Sequence, residues 1–311
     1  MAADFRQFDE HGFPIPPRFS DLKYHDDQPP ARPKASLRTK RLVMLGILLG
    51  IVLPIVLGPR ILSAARDMLA EWLFSRAQQR FVQGDNAGAL ADLNRAIDWN
   101  PKSWMLYMLR AEVRAKMDQL DESLADYNEL IHLLSGNNGG WWRQRGLRRG
   151  GLMVKALLDR SWVNVRLQRS REALDDASRA VQIAPSPMTW NSRAYVRAIL
   201  NTELDDGLAD INRALALDQD NAEFLDTRGY LLHRLGREDE ALADMNRALA
   251  QLNQFDGAVP DQAARLALDH NLAVMFHHRG EIYQKLRQND KADIDLRRGE
   301  NLGYDPAHGV F

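Results

Sequence analysis

One nine-residue pattern, written six times, limits what this chain can fold into more than anything else in it. It reads ALADLNRAI (Ala89–Ile97), SLADYNELI (Ser123–Ile131), ALDDASRAV (Ala173–Val181), GLADINRAL (Gly207–Leu215), ALADMNRAL (Ala241–Leu249) and KADIDLRRG (Lys291–Gly299). With the small residue of each copy as anchor (Ala89, Ser123, Ala173, Gly207, Ala241, Ala292), the steps are 34, 50, 34, 34 and 51 residues. A fixed period, lengthened twice by roughly half a repeat, builds a stack in which each unit covers the apolar face of the next.

Small residues also recur twelve apart, at Ala77/Ala89, Ala111/Ser123, Ser161/Ala173, Gly229/Ala241 and Gly280/Ala292. Two helices approach most closely where neither presents a bulky side chain, so these pairs mark helix crossings. Between them stand turn residues: Gly84-Asp85-Asn86, Leu235-Gly236-Arg237 and Arg287-Gln288-Asn289-Asp290. Each second helix carries apolar residues at helical spacing, such as Leu90, Leu93, Ala96 and Ile97. Several repeats close with Asn100-Pro101 or Ala184-Pro185, where proline stops the helix, or with Leu217-Asp218.

These residues resemble a tetratricopeptide repeat (TPR) array. The family pattern asks for small residues near positions 8, 20 and 27 and proline near 32. Ala77, Ala89, Ala96 and Pro101 supply all four in the first repeat, and Gly229, Ala241 and Ala248 supply three in the fifth. The second repeat departs with Leu130 at position 27, and the fourth has a turn one residue longer, between Ala194 and Gly207. The fold expected is all-α: a solenoid of about six TPR-like helical hairpins over residues 63–306, with a short C-terminal tail at 307–311.

Two segments precede the array. Residues 1–40 hold Pro14, Pro16, Pro17, Pro29, Pro30 and Pro33 and show no periodicity, so an extended, disordered tail is expected. Residues 42–58 contain no charge, and a single transmembrane helix is expected over 41–62, kinked at Pro54. Arg32, Lys34, Arg38, Lys40 and Arg41 precede this run, whereas Arg60 and Arg66 follow it. The positive-inside rule then places the tail in the cytoplasm and the repeats on the far, extracytoplasmic side. From Ile61 to Leu73 the pattern stays helical, so the span should run into the first repeat with little break.

The two long steps are insertions, near 135–151 and 250–269. The first, SGNNGGWWRQRGLRRGG, has six glycines and no acidic residue, and reads as a flexible loop. Its Trp141, Trp142, Arg143, Arg145, Arg148 and Arg149 suit anionic lipid headgroups or single-stranded nucleic acid, or the tryptophans simply cover a repeat edge. The second insertion reads as a lengthened first helix of the sixth repeat.

Asp92, Asp126, Asp176, Asp210, Asp244 and Asp295 stand three residues after each anchor, five of them followed three later by arginine. Such pairs are worth about 0.2–0.5 kcal/mol each on a helix surface, and a structural ladder is expected of them. Recognition should lie in the groove lined by the first helices. By family register its residues include Trp162, Tyr195 and Tyr230, with Asn191, Asp226 and His233 beside them. Aromatics with polar neighbours hold an extended peptide or a partner helix. The Lys/Asn set with which some relatives grip a C-terminal carboxylate is not found at these positions.

Other chemistry has little to stand on. There is no cysteine, and His270, His277 and His278 lie on one helix without an HExxH pattern, so no metal site or cofactor is expected. No P-loop, GxGxxG, GxSxG or paired-carboxylate pattern occurs, and no enzyme is expected. A net charge of −1 gives no whole-molecule attraction for nucleic acid. The sequence thus points to a membrane-anchored scaffold that docks a protein or peptide partner in its groove. A lipid- or nucleic-acid-binding module using residues 141–149 is the alternative.

Overall fold

In a computed structural model the described residues are 36–48, 53–136, 149–253 and 262–305, and the chain divides into two units, 1–62 and 63–311. All thirteen elements among the described residues are α-helices. Two of them, α1 (Leu37–Ile47) and α2 (Leu53–Val82), fall on the span expected over 41–62, of which residues 49–52 lie outside the described set. No helix among the described residues is long and apolar enough to cross a membrane. Arg38, Lys40 and Arg41 fall within α1, and Arg60, Arg66, Asp67 and Glu71 within α2, while residues 49–52 of the uncharged run lie outside the described set. The tail expected over 1–40 is shortened by α1 at Leu37, and residues 1–35 lie outside the described set. The kink expected at Pro54 falls beside residues 49–52, which lie outside the described set. As expected, α2 runs on to Val82 as the first helix of the first hairpin.

Six hairpins follow. α2 pairs with α3 (Asn86–Trp99), α4 (Trp104–Lys116) with α5 (Leu120–Ser135), and α6 (Arg149–Arg166) with α7 (Ser170–Ile183). Then α8 (Pro187–Leu200) pairs with α9 (Leu204–Leu217), α10 (Ala222–Arg234) with α11 (Glu238–Asn253), and α12 (Gln262–Lys285) with α13 (Asn289–Asn301). From α3 onward each second helix packs on the next first helix, and first helices α6, α8, α10 and α12 pack successively side by side.

The small residues sit at the crossings. Ser123 Oγ donates to Ala111 O at 2.8 Å, and Ser161 Oγ to Ala173 O at 2.7 Å, so each serine satisfies its hydroxyl within the contact. A Cβ at Gly280 would lie 2.8 Å from Leu296 Cγ and 3.3 Å from Leu296 N. Gly280→Val should therefore force α12 from α13 and cost about 1–3 kcal/mol, seen as a lowered urea midpoint. An unchanged midpoint would mean that the crossing has slack.

Each hairpin turn takes a left-handed residue: Gly84, Asp118, Gln168, Gly236 and Arg287 in five of them. The fourth, longer by one, takes two, Asn201 (φ 51°) and Glu203 (φ 47°). Its extra residue is absorbed there, and the helices beyond it keep their pairing.

The insertions differ from expectation at their edges. Arg149, Gly150 and Gly151 form the first turn of α6, not a loop. The Arg149 guanidinium donates to Leu134 O and, at 3.1 Å, to Gly136 O, and so caps carbonyls at the end of α5. Trp141, Trp142, Arg143, Arg145 and Arg148 lie outside the described residues. The second insertion lengthens both neighbours: α11 runs 16 residues to Asn253 and α12 runs 24 from Gln262.

The aspartate ladder is also differently built. The six aspartates are buried, each no more than 5% exposed, and take their hydrogen bonds from arginines of the first helices, while Arg213 and Arg247, three residues on, add longer ion pairs to Asp210 and Asp244 at 3.6 and 3.9 Å. Arg76–Asp92, Arg110–Asp126, Arg160–Asp176, Arg193–Asp210, Arg228–Asp244 and Arg279–Asp295 each make two hydrogen bonds. Four of these arginines also reach an asparagine of the preceding hairpin: Asn94, Asn128, Asn212 and Asn246. One guanidinium thus ties two helices of its own hairpin and the hairpin before it, a use of the planar fork that lysine could not copy.

Candidate binding groove

The arginines give a ruler for the groove. Two residues after each, at one repeating register position, stand Gln78, Glu112, Trp162, Tyr195, Tyr230 and Glu281. Two residues before Arg193, Arg228 and Arg279 stand Asn191, Asp226 and His277. The structure brings most of the expected groove residues together. Trp162 on α6 lies 5.3 Å from Tyr195 on α8, ring centre to ring centre, and Tyr195 lies 6.3 Å from Tyr230 on α10. A cavity of about 310 Å³ is lined by Trp162, Asn191, Tyr195 and Asp226, with Glu223, Thr227, His270, Asn271, Val274 and Met275.

Tyr230 and His233 do not line this cavity; the His233 ring lies 6.3 Å from that of Tyr230, and its Nδ1 lies 2.6 Å from Glu238 of the following helix.

Three residues belong to the cluster that the groove register alone did not include. His278 stacks on Tyr230 at 4.1 Å, and its Nδ1 meets Asp226 Oδ1 at 2.9 Å. Tyr304, beyond the last helix, stacks on His277 at 4.0 Å. Glu281 acts on both groove tyrosines through its charge. The signal for Glu281 was present in the arginine spacing. None existed for Tyr304, which reaches the cluster only because the chain turns back after Asn301. His277 and His278, weighed above as metal ligands, are engaged with Tyr304 and Asp226 respectively. Among the described residues no group of three His, Cys, Asp or Glu could hold a metal ion.

Burial, with Asp226 and Glu281 nearby, pushes the Tyr195 phenol well above its usual range; burial and Glu281 push Tyr230 up to about 12. Both remain neutral donors at any physiological pH. Tyr195 Oη and Asn191 Oδ1 are nonetheless buried without a hydrogen-bond partner among the described residues. Such orphaned groups cost about 1–3 kcal/mol each while unmet.

Burial lowers the His277 pKa below 6.5, opposed by Glu281 and Glu300 and reinforced by His278. A histidine with a depressed folded pKa binds fewer protons folded than unfolded. Its contribution to stability is then complete above 6.5 and declines as pH falls from 6.5 through the folded value. His277→Gln should accordingly lose less stability than the parent between pH 7.5 and 5.5; equal losses in urea titrations would rule this out.

Comparison with known proteins agrees with this architecture. Residues 74–138 and 222–258 match family models of the tetratricopeptide repeat. A chain of the APC/C hetero-tetramer Cut9–Hcn1 superposes with TM-score 0.54 at 13% identity, over 75% of this chain and 40% of that one. PilW, a type IV pilus biogenesis factor, gives 0.52 at 14% identity over 76% and 96%. A tetratricopeptide repeat protein from Parabacteroides merdae ATCC 43184 gives 0.49 at 17% identity over 77% and 95%. No curated protein matches the sequence. At such identities the likeness is one of fold, and with the matched segments it shows that this chain carries tetratricopeptide repeats stacked as an all-helical solenoid.

Proposed function

We propose that the chain is a membrane-tethered scaffold that docks a segment of another protein along its first helices. Tetratricopeptide repeats generally mediate protein–protein interaction and complex assembly. The observation carrying the reading here is the column Trp162–Tyr195–Tyr230, three rings on three successive first helices beside a cavity with unmet polar atoms. Rings with a polar edge give large contact area at low entropic cost, which makes them anchors for a partner segment. Asn191 and Asp226 add polar contacts, and no catalytic step is part of the reading.

Tethering rests on the uncharged run 42–58, and the orientation, tail in the cytoplasm and repeats across the membrane, rests on the basic residues before it. Tethering would raise the effective concentration of the groove at the bilayer. A full-length chain that stays in the aqueous phase on detergent partitioning would remove this part.

Proximity labelling with the full chain tests the docking. Trp162→Ala and Tyr230→Ala should each lose the captured partners, while replacing Arg143, Arg145 and Arg148 should not. The reverse result, with binding that weakens steeply with salt, would favour the lipid or nucleic-acid alternative.

A further inference from the structure

We infer that the cavity between Trp162 and Met275 takes a basic side chain, arginine above lysine, from the docked partner segment. This rests on the docking reading above and names the chemistry of its central contact.

The two unmet polar atoms set the requirement. Asn191 Oδ1 can only accept, and Tyr195 Oη accepts as well as donates, so the missing group must bring hydrogens. Both belong to the cavity wall, and Tyr195 is 92% buried, being 8% exposed. Charge points the same way. Glu223 and Asp226 line the cavity, and no lysine or arginine does so among the described residues. Glu281 lies close enough to raise the phenols of Tyr195 and Tyr230. An anionic group would meet this field unfavourably, and a purely apolar one would leave both orphans unmet.

The rings complete the case. Trp162 and Tyr195 line the same space, and a cation within about 6 Å of an aromatic face is attracted by it, tryptophan best. Guanidinium suits the site better than ammonium because it is flat, stacks on rings and carries five donors in one plane. A lysine would meet the charge but fewer of the acceptors.

The test uses the purified full-length chain in detergent and a displayed library of random twelve-residue peptides, counter-selected on the Trp162→Ala chain. Trp162-dependent peptides sharing an arginine or lysine are expected. Exchanging that arginine for citrulline, which keeps the shape and removes the charge, should weaken binding about tenfold or more. Tyr195→Phe, which keeps the ring, should weaken both peptides, and Glu223→Gln, on an exposed helix position, should weaken the arginine peptide several-fold and leave the citrulline peptide nearly unchanged. Trp162-dependent peptides without a shared basic residue, or citrulline binding as well as arginine, would overturn the inference while leaving the docking groove intact. A library yielding no Trp162-dependent peptide would overturn both.

Discussion

Asp210→Ala is expected to destabilise the array by about 3–5 kcal/mol, the cost of leaving a buried charge without its partner. Asp210 is 2% exposed and receives Arg193 through two hydrogen bonds and Arg197 Nη1 at 2.6 Å. With the carboxylate gone, Arg193 loses its two hydrogen bonds and Arg197 keeps only Glu203, although their side chains are only 17% and 10% exposed. The control is Asp220→Ala. Asp220 pairs with Arg247 in solvent, both at least half exposed, and such a pair contributes about 0–1 kcal/mol. Urea unfolding followed by circular dichroism separates the two. In a stack stabilised by neighbour contacts, the Asp210 variant should also show faster amide exchange in α8 and α9 than elsewhere. A loss under about 1 kcal/mol would mean that the aspartate rung is decoration, as surface pairs are.

Leu225→Ala should cost about 2–5 kcal/mol, depending on how far the surrounding helices can collapse into the space. Leu225 is fully buried among Ile211, Ala214, Leu249, Leu268, Leu272 and Met275, which come from α9, α11 and α12. It therefore joins three hairpins at once. Leu217→Ala, at a residue 69% exposed, should change stability by no more than about 0.5 kcal/mol. Since α10 also carries Asp226 and Tyr230, the Leu225 variant should bind a groove peptide less well even where it remains folded. Equal midpoints for the two leucine variants would contradict the burial described here.

Much of this was legible in the chain. The twelve-residue spacing of small residues located the helix crossings, and Ser123 and Ser161 prove to be contact residues there. The groove column was legible too: Trp162, Tyr195 and Tyr230 recur near the repeat period, and the structure puts their rings within 6.3 Å of the next. His233 lies beside Tyr230, while Glu238, five residues on, holds its Nδ1 across the turn. The span expected over 41–62 includes residues 49–52, which lie outside the described set, and no helix among the described residues is long and apolar enough to cross a membrane.

By itself the sequence determined the number of hairpins, their order and the face each residue occupies, because a repeated unit must bury the same positions every time. Only the tertiary structure decided which arginine meets each aspartate. A partner three residues on and one sixteen residues back are both within reach, and the choice depends on how the paired helices are rotated and how closely they pack. The same packing buries the Tyr195 hydroxyl beside Asn191 and folds Tyr304 back onto His277, contacts set by distance across the stack rather than along the chain.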